Sequence, residues 1–257
     1  MAEGAKEGIA ALRRLHDELV DFTSGLDEAA LRAQSGCSEW TVADVLGHLG
    51  SAAEIGLKTV TEGKADMDAA PAVWDRWNAM TQDEKASNFV TSGERLTEAF
   101  EALDDAELAT KKVDLVFLPQ PVGIDVLVGM RLGEVGLHRW DVEVAFDPKA
   151  TLARYVVPFS LVQLPMFAGF FAKPIGKTGE VMVDITEPTR GYALELTTEG
   201  AKLSEGQAID AQSRLSGPAE AFVRLASGRM RAEHTPATMH AEGEISLDDL
   251  RRVFPGY

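Results

Sequence analysis

One apolar helix near the middle of the chain carries ionisable side chains on the face that should be buried. The period of its apolar residues predicts a helix that begins at Ile124 and runs to about Phe146, before Asp147-Pro148. One broad face of this helix is formed by Leu127, Met130, Glu134, Leu137, His138, Asp141 and Ala145. Burying a carboxylate and other polar groups without partners costs several kcal/mol. Any fold of this chain must therefore give them partners, and a metal ion is one.

Glu134 and His138 have the spacing of two ligands of one cation. They are four residues apart, so on a helix their Cβ atoms lie roughly 5–6 Å apart on the same face. A catalytic zinc ion takes three protein ligands and keeps one position open. The best supplier of the third ligand is His48, in the apolar helical run Ala43-Asp44-Val45-Leu46-Gly47-His48-Leu49. Taken alone, His48 would more often be a histidine at the rim of a core, but the pair on the later helix favours the metal.

Three segments of the chain, in this order, resemble one known family. They are Glu39-Trp40-Thr41-Val42-Ala43-Asp44-Val45-Leu46-Gly47-His48-Leu49, the Glu-x-x-x-His-x-x-Asp that spans Glu134 to Asp141, and a C-terminal part with Leu215-Ser216-Gly217-Pro218-Ala219-Glu220 and Ser227-Gly228-Arg229. Together they resemble the DinB-like, mycothiol-dependent maleylpyruvate isomerase family of actinobacteria over most of the chain. The resemblance implies a DinB-like metal-binding four-helix bundle over residues 1–148 and a small α+β, sterol-carrier-like domain over residues 149–257.

The apolar periodicity of the N-terminal half also indicates a helical bundle. Apolar residues recur three or four apart in long segments, which are 4–23, about 41–61, 85–103 and 124–146. Thr41 with Asp44 three residues on nearly matches a capping box, so the second helix should start there. Four-helix bundles often carry metal in their core, which agrees with ionisable groups on two of these segments.

The pattern changes after the turn at Asp147-Pro148-Lys149-Ala150. Residues 181–186 and 192–197 alternate with period two around Pro188-Thr189-Arg190-Gly191, which predicts a β-hairpin. The other predicted elements are a helix over 152–171, a strand over 209–215, a helix over 218–226, a short strand over 238–242 and a helix from Ser246. The predicted fold class is therefore multidomain, a helical bundle followed by a small α+β domain.

Charge and composition exclude several classes of partner. The chain has 25 Lys and Arg against 41 Asp and Glu, a net charge of −16, which repels phosphate backbones and anionic lipid headgroups. We therefore expect no nucleic acid and no membrane partner. No run approaches the roughly 18 apolar residues of a membrane span, and the first residues lack a signal sequence, so we expect a cytoplasmic protein. The single cysteine, Cys37, excludes an intrachain disulfide and is expected to be an unreactive small residue in a loop.

The family resemblance implies a chemistry in which the protein supplies no nucleophile of its own. It implies two cofactors, a divalent metal, zinc first, and the thiol mycothiol, which binds as thiolate, adds to the conjugated double bond of maleylpyruvate, allows rotation and leaves. The partners are then a small-molecule thiol and an electrophilic or unsaturated acid, and the function is that of a cis–trans isomerase. Two alternatives stay open: a mycothiol S-transferase acting on electrophiles, and a non-catalytic bundle that binds metal or a small molecule.

Asp141 lies one helical turn beyond His138, and two roles are open to it. It either holds the ring of the ligand histidine in the correct tautomer, or forms a salt bridge with an arginine such as Arg131 or Arg139. Arg139 points away from the metal face on this helix, and we expect it to lie in solvent.

A dicarboxylate substrate needs an anchor, and arginine provides two parallel hydrogen bonds to a carboxylate. The resemblance implies an arginine of the C-terminal domain in this role. Arg229 is the first candidate and Arg224 the second. His16, His234 and His240 lie outside the motifs and are expected at the surface or at the rim of the core.

Overall fold

The chain divides into two compact units in the structure, a computed structural model that describes residues 2–256. The units are Met1–Asp147 and Pro148–Tyr257. The first is mostly helical, and the second contains a mixed β-sheet with flanking helices. The fold class predicted from the sequence, a helical region followed by a small α+β domain, is confirmed.

Helices build the first unit, together with one small hairpin. Its elements are α1 (Ala2–Ser24), α2 (Glu28–Leu31), α3 (Val42–Glu62), α4 (Ala70–Asn78), α5 (Gln82–Glu101), α6 (Asp105–Thr110), β1 (Lys112–Val113), β2 (Val122–Gly123) and α7 (Ile124–Glu143). The long helices form a closed ring of contacts: α3 packs on α5, α5 on α1, α1 on α7 and α7 on α3. This is a four-helix bundle, whose fully buried side chains include Leu15, Leu19, Leu46, Leu49, Phe89, Phe100, Ile124 and Leu132.

The start of α3 is fixed by the capping box that the sequence predicts. The Thr41 side chain accepts a hydrogen bond from the Asp44 backbone N–H at 3.2 Å, and Asp44 Oδ2 accepts one from the Thr41 N–H at 3.0 Å. These bonds satisfy donors that a helix N-terminus otherwise leaves unpaired. Asp44 Oδ1 also accepts from Lys85 Nζ at 2.7 Å, which ties the start of α3 to α5. The helix that carries His48 is therefore held at a defined position.

The second unit is a five-stranded sheet with helices. Its elements are α8 (Val157–Phe171), β3 (Gly179–Thr186), β4 (Arg190–Leu196), β5 (Ala201–Glu205), β6 (Ser213–Pro218), α9 (Ala219–Ala226), a short 3₁₀ turn (Ala232–His234), β7 (His240–Gly243) and α10 (Leu247–Val253). The strand order is β5-β4-β3-β6-β7, with β3 and β6 parallel and the other neighbours antiparallel. In the described chain no helix combines the length and the apolar character that crossing a membrane requires.

Two element predictions for this unit are wrong in part. The hairpin of β3 and β4 is confirmed, but residues 209–212 are not strand; Ile209 lies in a turn with 91% of its surface exposed. The prediction also misses the edge strand β5, because only Leu203 of its five residues is buried. An edge strand with one buried side chain gives too weak an alternation to be recognised. The helix predicted from residue 152 begins at Val157.

The expectation that His16 lies at the surface or rim is wrong, since 5% of it is exposed. Its ring packs edge-on against Phe89 at 5.6 Å between ring centres. Gly93 makes room for it, because a Cβ built there would lie 2.4 Å from His16 Cε1. Burial lowers the pKa of His16, against a smaller opposing effect of Glu94.

Candidate metal centre

The residues that the sequence singles out as metal ligands come together where α3 faces α7. His48 Nε2 lies 3.2 Å from Glu134 Oε1, and the ring centres of His48 and His138 are 4.7 Å apart. About a third of the His48 and Glu134 side chains is exposed (32% and 33%). The arrangement therefore lies at the rim of the core, where solvent has access.

These donors fit a divalent ion in type, and the His48–Glu134 pair also fits one in spacing. Two ligand atoms held at about 2.0–2.1 Å by a tetrahedral zinc ion lie roughly 3.3 Å apart, close to the 3.2 Å between His48 Nε2 and Glu134 Oε1. Two imidazoles and one carboxylate are also a known ligand set of catalytic zinc. His138 Nδ1 faces Asp141, which leaves the Nε2 of His138 as the nitrogen for an ion.

Arg131 holds the carboxylate of Glu134 from the side opposite His48. Its Nη1 lies 2.8 Å from Glu134 Oε2, and its Nη2 donates to the Leu49 carbonyl of α3 at 2.9 Å. Burial alone raises the pKa of Glu134, but the charge of Arg131 and the hydrogen bond with His48 outweigh it and hold that pKa well below its usual range. Glu134 is therefore ionised at neutral pH, as a metal ligand must be.

Asp141 is fully buried and supports His138 from behind. Its Oδ2 lies 2.8 Å from His138 Nδ1 and accepts a hydrogen bond from the Cys37 thiol at 3.2 Å. Its backbone carbonyl accepts from the Gly36 N–H at 2.7 Å. Glycine is required there, because a Cβ at Gly36 would lie 2.8 Å from Asp141 Oδ1. The loop before α3 thus packs directly on α7 beside the candidate ligands.

Ligand-type atoms of Cys37, His138 and Asp141 lie within 4.8 Å of one another, the one such trio within residues 2–256. The His48, Glu134 and His138 atoms are gathered less closely than that in the same part of the chain. Yet the 2.8 Å between His138 Nδ1 and Asp141 Oδ2 is a hydrogen-bond length, well below the roughly 3.3 Å between ligands on one zinc ion. This geometry is that of hydrogen-bonded support for His138.

Trp40 forms a wall of the same site, a position that the sequence pattern did not predict for it. Its ring centre lies 5.0 Å from that of His48 and 6.0 Å from that of His138, nearly parallel to the latter at 25°. One signal was present: Trp40 directly precedes the N-cap Thr41, where an apolar residue often packs back on its helix. Cys37 gave no such signal, because its partner Asp141 is 104 residues away in the sequence.

Comparison with known proteins identifies the N-terminal unit. Residues 12–143, just over half of the chain, match the family model described as the mycothiol maleylpyruvate isomerase N-terminal domain. The chain belongs to this family. No significant match is found among proteins of curated function.

Two solved structures share the fold of this family member over nearly its whole length. One is the mycothiol-dependent maleylpyruvate isomerase, with 17% identity and a TM-score of 0.66 over 94% of both chains. The other is a histidine-to-alanine mutant of the mycothiol-dependent maleylpyruvate isomerase, with 16% identity, a TM-score of 0.66 and the same coverage. At this identity the likeness shows the fold and leaves the reaction of this family member to be proposed.

The expectation that Arg139 lies in solvent is wrong. Its Nε donates to Glu143 Oε1 at 2.7 Å, its Nη1 pairs with Glu18 of α1, and 19% of its side chain is exposed. The physical reason is that α1 packs on α7 and covers the face of α7 that points away from the candidate metal ligands.

The two C-terminal arginines have different surroundings within the second unit. Arg224 is buried, pairs with Glu220 through Nε and Nη2 at 2.8 and 2.9 Å, and donates to the His234 carbonyl at 3.0 Å. Arg229 is half-buried, and its Nη1 donates to the Ser227 carbonyl at 3.0 Å. The guanidinium of Arg224 is therefore tied into the packing of α9.

Proposed function

We propose that this protein is a metal- and mycothiol-dependent cis–trans isomerase of the maleylpyruvate isomerase type. The observation that carries the proposal is the 3.2 Å approach of His48 Nε2 to Glu134 Oε1 beside His138, in a chain whose N-terminal unit belongs to this family. His48, Glu134 and His138 would hold the divalent ion, zinc by preference.

The ion and mycothiol would together supply a thiolate at neutral pH, a nucleophile that could add reversibly to a conjugated double bond and so allow cis–trans rotation with no net change of atoms. The protein therefore has to bind and orient, and it needs no nucleophile of its own. The Cys37 thiol, which donates to Asp141, is not assigned a part in this chemistry.

Glu134 and the side chains around the proposed ligands each have a defined role. Glu134 stays ionised because of Arg131 and His48, so it presents a negative oxygen without first losing a proton. Asp141 accepts the Nδ1–H of His138 and so keeps the lone pair of Nε2 available. Trp40 covers one side of both rings and excludes water from it.

Arg229 is the proposed anchor of the substrate carboxylates. A guanidinium presents five N–H donors in a rigid fork, which suits a carboxylate better than a lysine does. The net charge of −16 gives an anionic substrate no long-range attraction, so a local cation is needed.

The metal part of the proposal is tested by metal analysis of purified variants. We expect about one divalent ion per chain in the wild type, as a single three-ligand site requires, and its loss in His138→Ala and Glu134→Ala with the helical signal in circular dichroism retained. Asp141→Asn keeps the shape of the side chain but loses its negative charge, so it accepts the Nδ1–H of His138 less strongly than a carboxylate does. This variant should bind the ion about 10–100-fold more weakly. Fully loaded His138→Ala and Glu134→Ala variants would rule out these ligands.

The reaction is tested by chromatographic assays of two substrates, each with and without mycothiol. Maleylpyruvate should be converted to its trans isomer only when mycothiol is present, and a chlorinated aromatic electrophile should be left unchanged. Conjugation of the electrophile without isomerisation would replace the isomerase by an S-transferase. Metal binding with neither reaction would leave a non-catalytic binding protein.

A further inference from the structure

Arg131 is a buried cation that contacts both helices of the candidate site. It is 8% exposed, lies on α7 and reaches α3 through its hydrogen bond to the Leu49 carbonyl at 2.9 Å. Leu49 directly follows His48 in the chain. The same guanidinium lies 2.8 Å from Glu134 Oε2. One planar group therefore joins the carboxylate of one proposed ligand to the backbone beside another.

We propose that Arg131 is a positioning residue. It leaves Glu134 only one oxygen with which to bind the metal, and it fixes the position of Glu134 relative to His48. The proposal rests on the proposed function, because it requires an ion at His48, Glu134 and His138. It gives Arg131 no contact with substrate or with the reacting atoms.

The two oxygens of Glu134 have separate partners, which is the basis of this role. Oε2 is taken by Arg131 and Oε1 faces His48 Nε2 at 3.2 Å. An unrestrained carboxylate can rotate and offer both oxygens to one cation. Two oxygens on the ion would fill the position that an incoming thiol needs, whereas a carboxylate held at Oε2 leaves that position open.

Lysine could not replace this arginine without loss. The guanidinium uses two separate nitrogens, Nη1 for Glu134 and Nη2 for the Leu49 carbonyl. An ammonium is a compact point charge on a flexible stem and lacks the fixed fork that serves both acceptors at once. Arg131→Lys therefore keeps the positive charge but removes the fixed arrangement of two donors. The variant separates the effect of the charge from the effect of the geometry.

The charge of Arg131 alone would have the opposite effect on metal affinity. A fixed positive charge repels a bound cation, so removing it would tighten binding if electrostatic repulsion dominated. If positioning dominates, removing the guanidinium weakens binding, because Glu134 loses its orientation. The sign of the change in affinity therefore decides between the two effects.

The experiment measures Zn²⁺ and Co²⁺ affinity by competition with a chromophoric chelator for the wild type, Arg131→Met, Arg131→Lys and Arg139→Met. We expect about 10–100-fold weaker binding in Arg131→Met and a smaller loss in Arg131→Lys, in the range of substitutions behind a metal ligand. Arg139→Met is the matched control: it also removes a paired arginine from α7, but its partners Glu18 and Glu143 lie outside the site. It should bind both ions as the wild type does.

The visible absorption of bound Co²⁺ provides a readout that a loss of stability alone would not move. Each donor atom affects the visible bands of bound Co²⁺, so a second Glu134 oxygen in the open position should shift the bands of Arg131→Met away from those of the wild type. An added thiol should then change the spectrum of Arg131→Met less than that of the wild type. Equal or tighter binding in both Arg131 variants, while the wild type binds one ion, would overturn this role and leave the proposed function standing. A wild type that binds no ion would overturn both. If Arg131→Met fails to fold, unchanged affinity in Arg131→Lys still overturns the proposal.

Discussion

At the scale of a single residue, burial changes the pKa of a side chain, and His16 is an example. Burial lowers its pKa, and the carboxylate of Glu94, whose Oε2 lies 3.7 Å from His16 Nε2, opposes this without cancelling it. In the unfolded chain a histidine has a pKa of about 6.5. As the pH falls through that value, the unfolded chain takes up a proton that folded His16 does not, so stability is lost towards acid pH.

We therefore predict that the free energy of unfolding falls between pH 7.5 and 5.5, and that His16→Met removes part of this fall. The slope of the free energy of unfolding against pH should differ between the wild type and His16→Met by no more than about 1.4 kcal/mol per pH unit, the limit for one proton. Urea titrations at both pH values would measure it. A chelator should be present throughout, so that release of a metal by protonated ligands does not contribute. An unchanged pH dependence in the variant would contradict the prediction.

At the scale of an element, α3 packs very closely on its neighbours, and this packing fixes the position of His48. A Cβ at Gly50 would lie 2.2 Å from Trp77 Cη2, and Trp77 is 2% exposed. Its Nε1 donates to Glu54 Oε2 at 3.0 Å, so the ring cannot move without losing that bond. At Gly56 the nearest atom is the flexible end of Leu96 at 3.2 Å. The two glycines are on the same helix but differ in what surrounds them.

This difference predicts opposite results for two identical substitutions. Gly50→Ala should lower the free energy of unfolding by up to about 2 kcal/mol, because overpacking costs about 1–3 kcal/mol and the gain in helix propensity offsets only about 1 kcal/mol of it. Gly56→Ala should be neutral or slightly stabilising, since Leu96 can shift by a few tenths of an ångström. Urea unfolding of both variants provides the comparison, and equal stabilities would show that α3 and α4 are packed less tightly than described.

At the scale of the whole molecule, the chain consists of two units joined by an exposed segment. Phe146 to Lys149 and Thr151 are exposed, while Leu152 is buried again. Exposed connections between compact units are preferred sites of proteolysis. The boundary near residue 148 that the sequence predicts can be tested there.

We predict that brief trypsin treatment cuts first after Lys149 or Arg154 and leaves two fragments that resist further digestion. Arg154 is also highly exposed, with 93% of its side chain accessible. Mass spectrometry of the early fragments would locate the cuts, and Lys149→Gln combined with Arg154→Gln should delay them without changing the fold. First cuts within α3, α7 or the sheet would contradict a division at this position.

Features that depend on neighbouring residues could be predicted from the sequence. Thr41 and Asp44 form the expected capping box, β3 and β4 form the expected hairpin, and Glu134 and His138 lie one turn apart on α7. Such patterns are predictable because the period of a helix or strand and the chemistry of a cap act over a few residues. The fold class followed from them, together with the family resemblance.

Only the tertiary structure decided which distant side chains meet. The contacts of Cys37 with Asp141 and of Arg131 with Leu49 join residues 104 and 82 positions apart. The burial of His16 and the pairing of Arg139 with Glu18 likewise depend on how α1 packs on its neighbours. Sequence periodicity tells which face of a helix is apolar, but it contains no distance between two helices. The partners of a buried charge are set by such distances, and they appear only when the bundle is assembled.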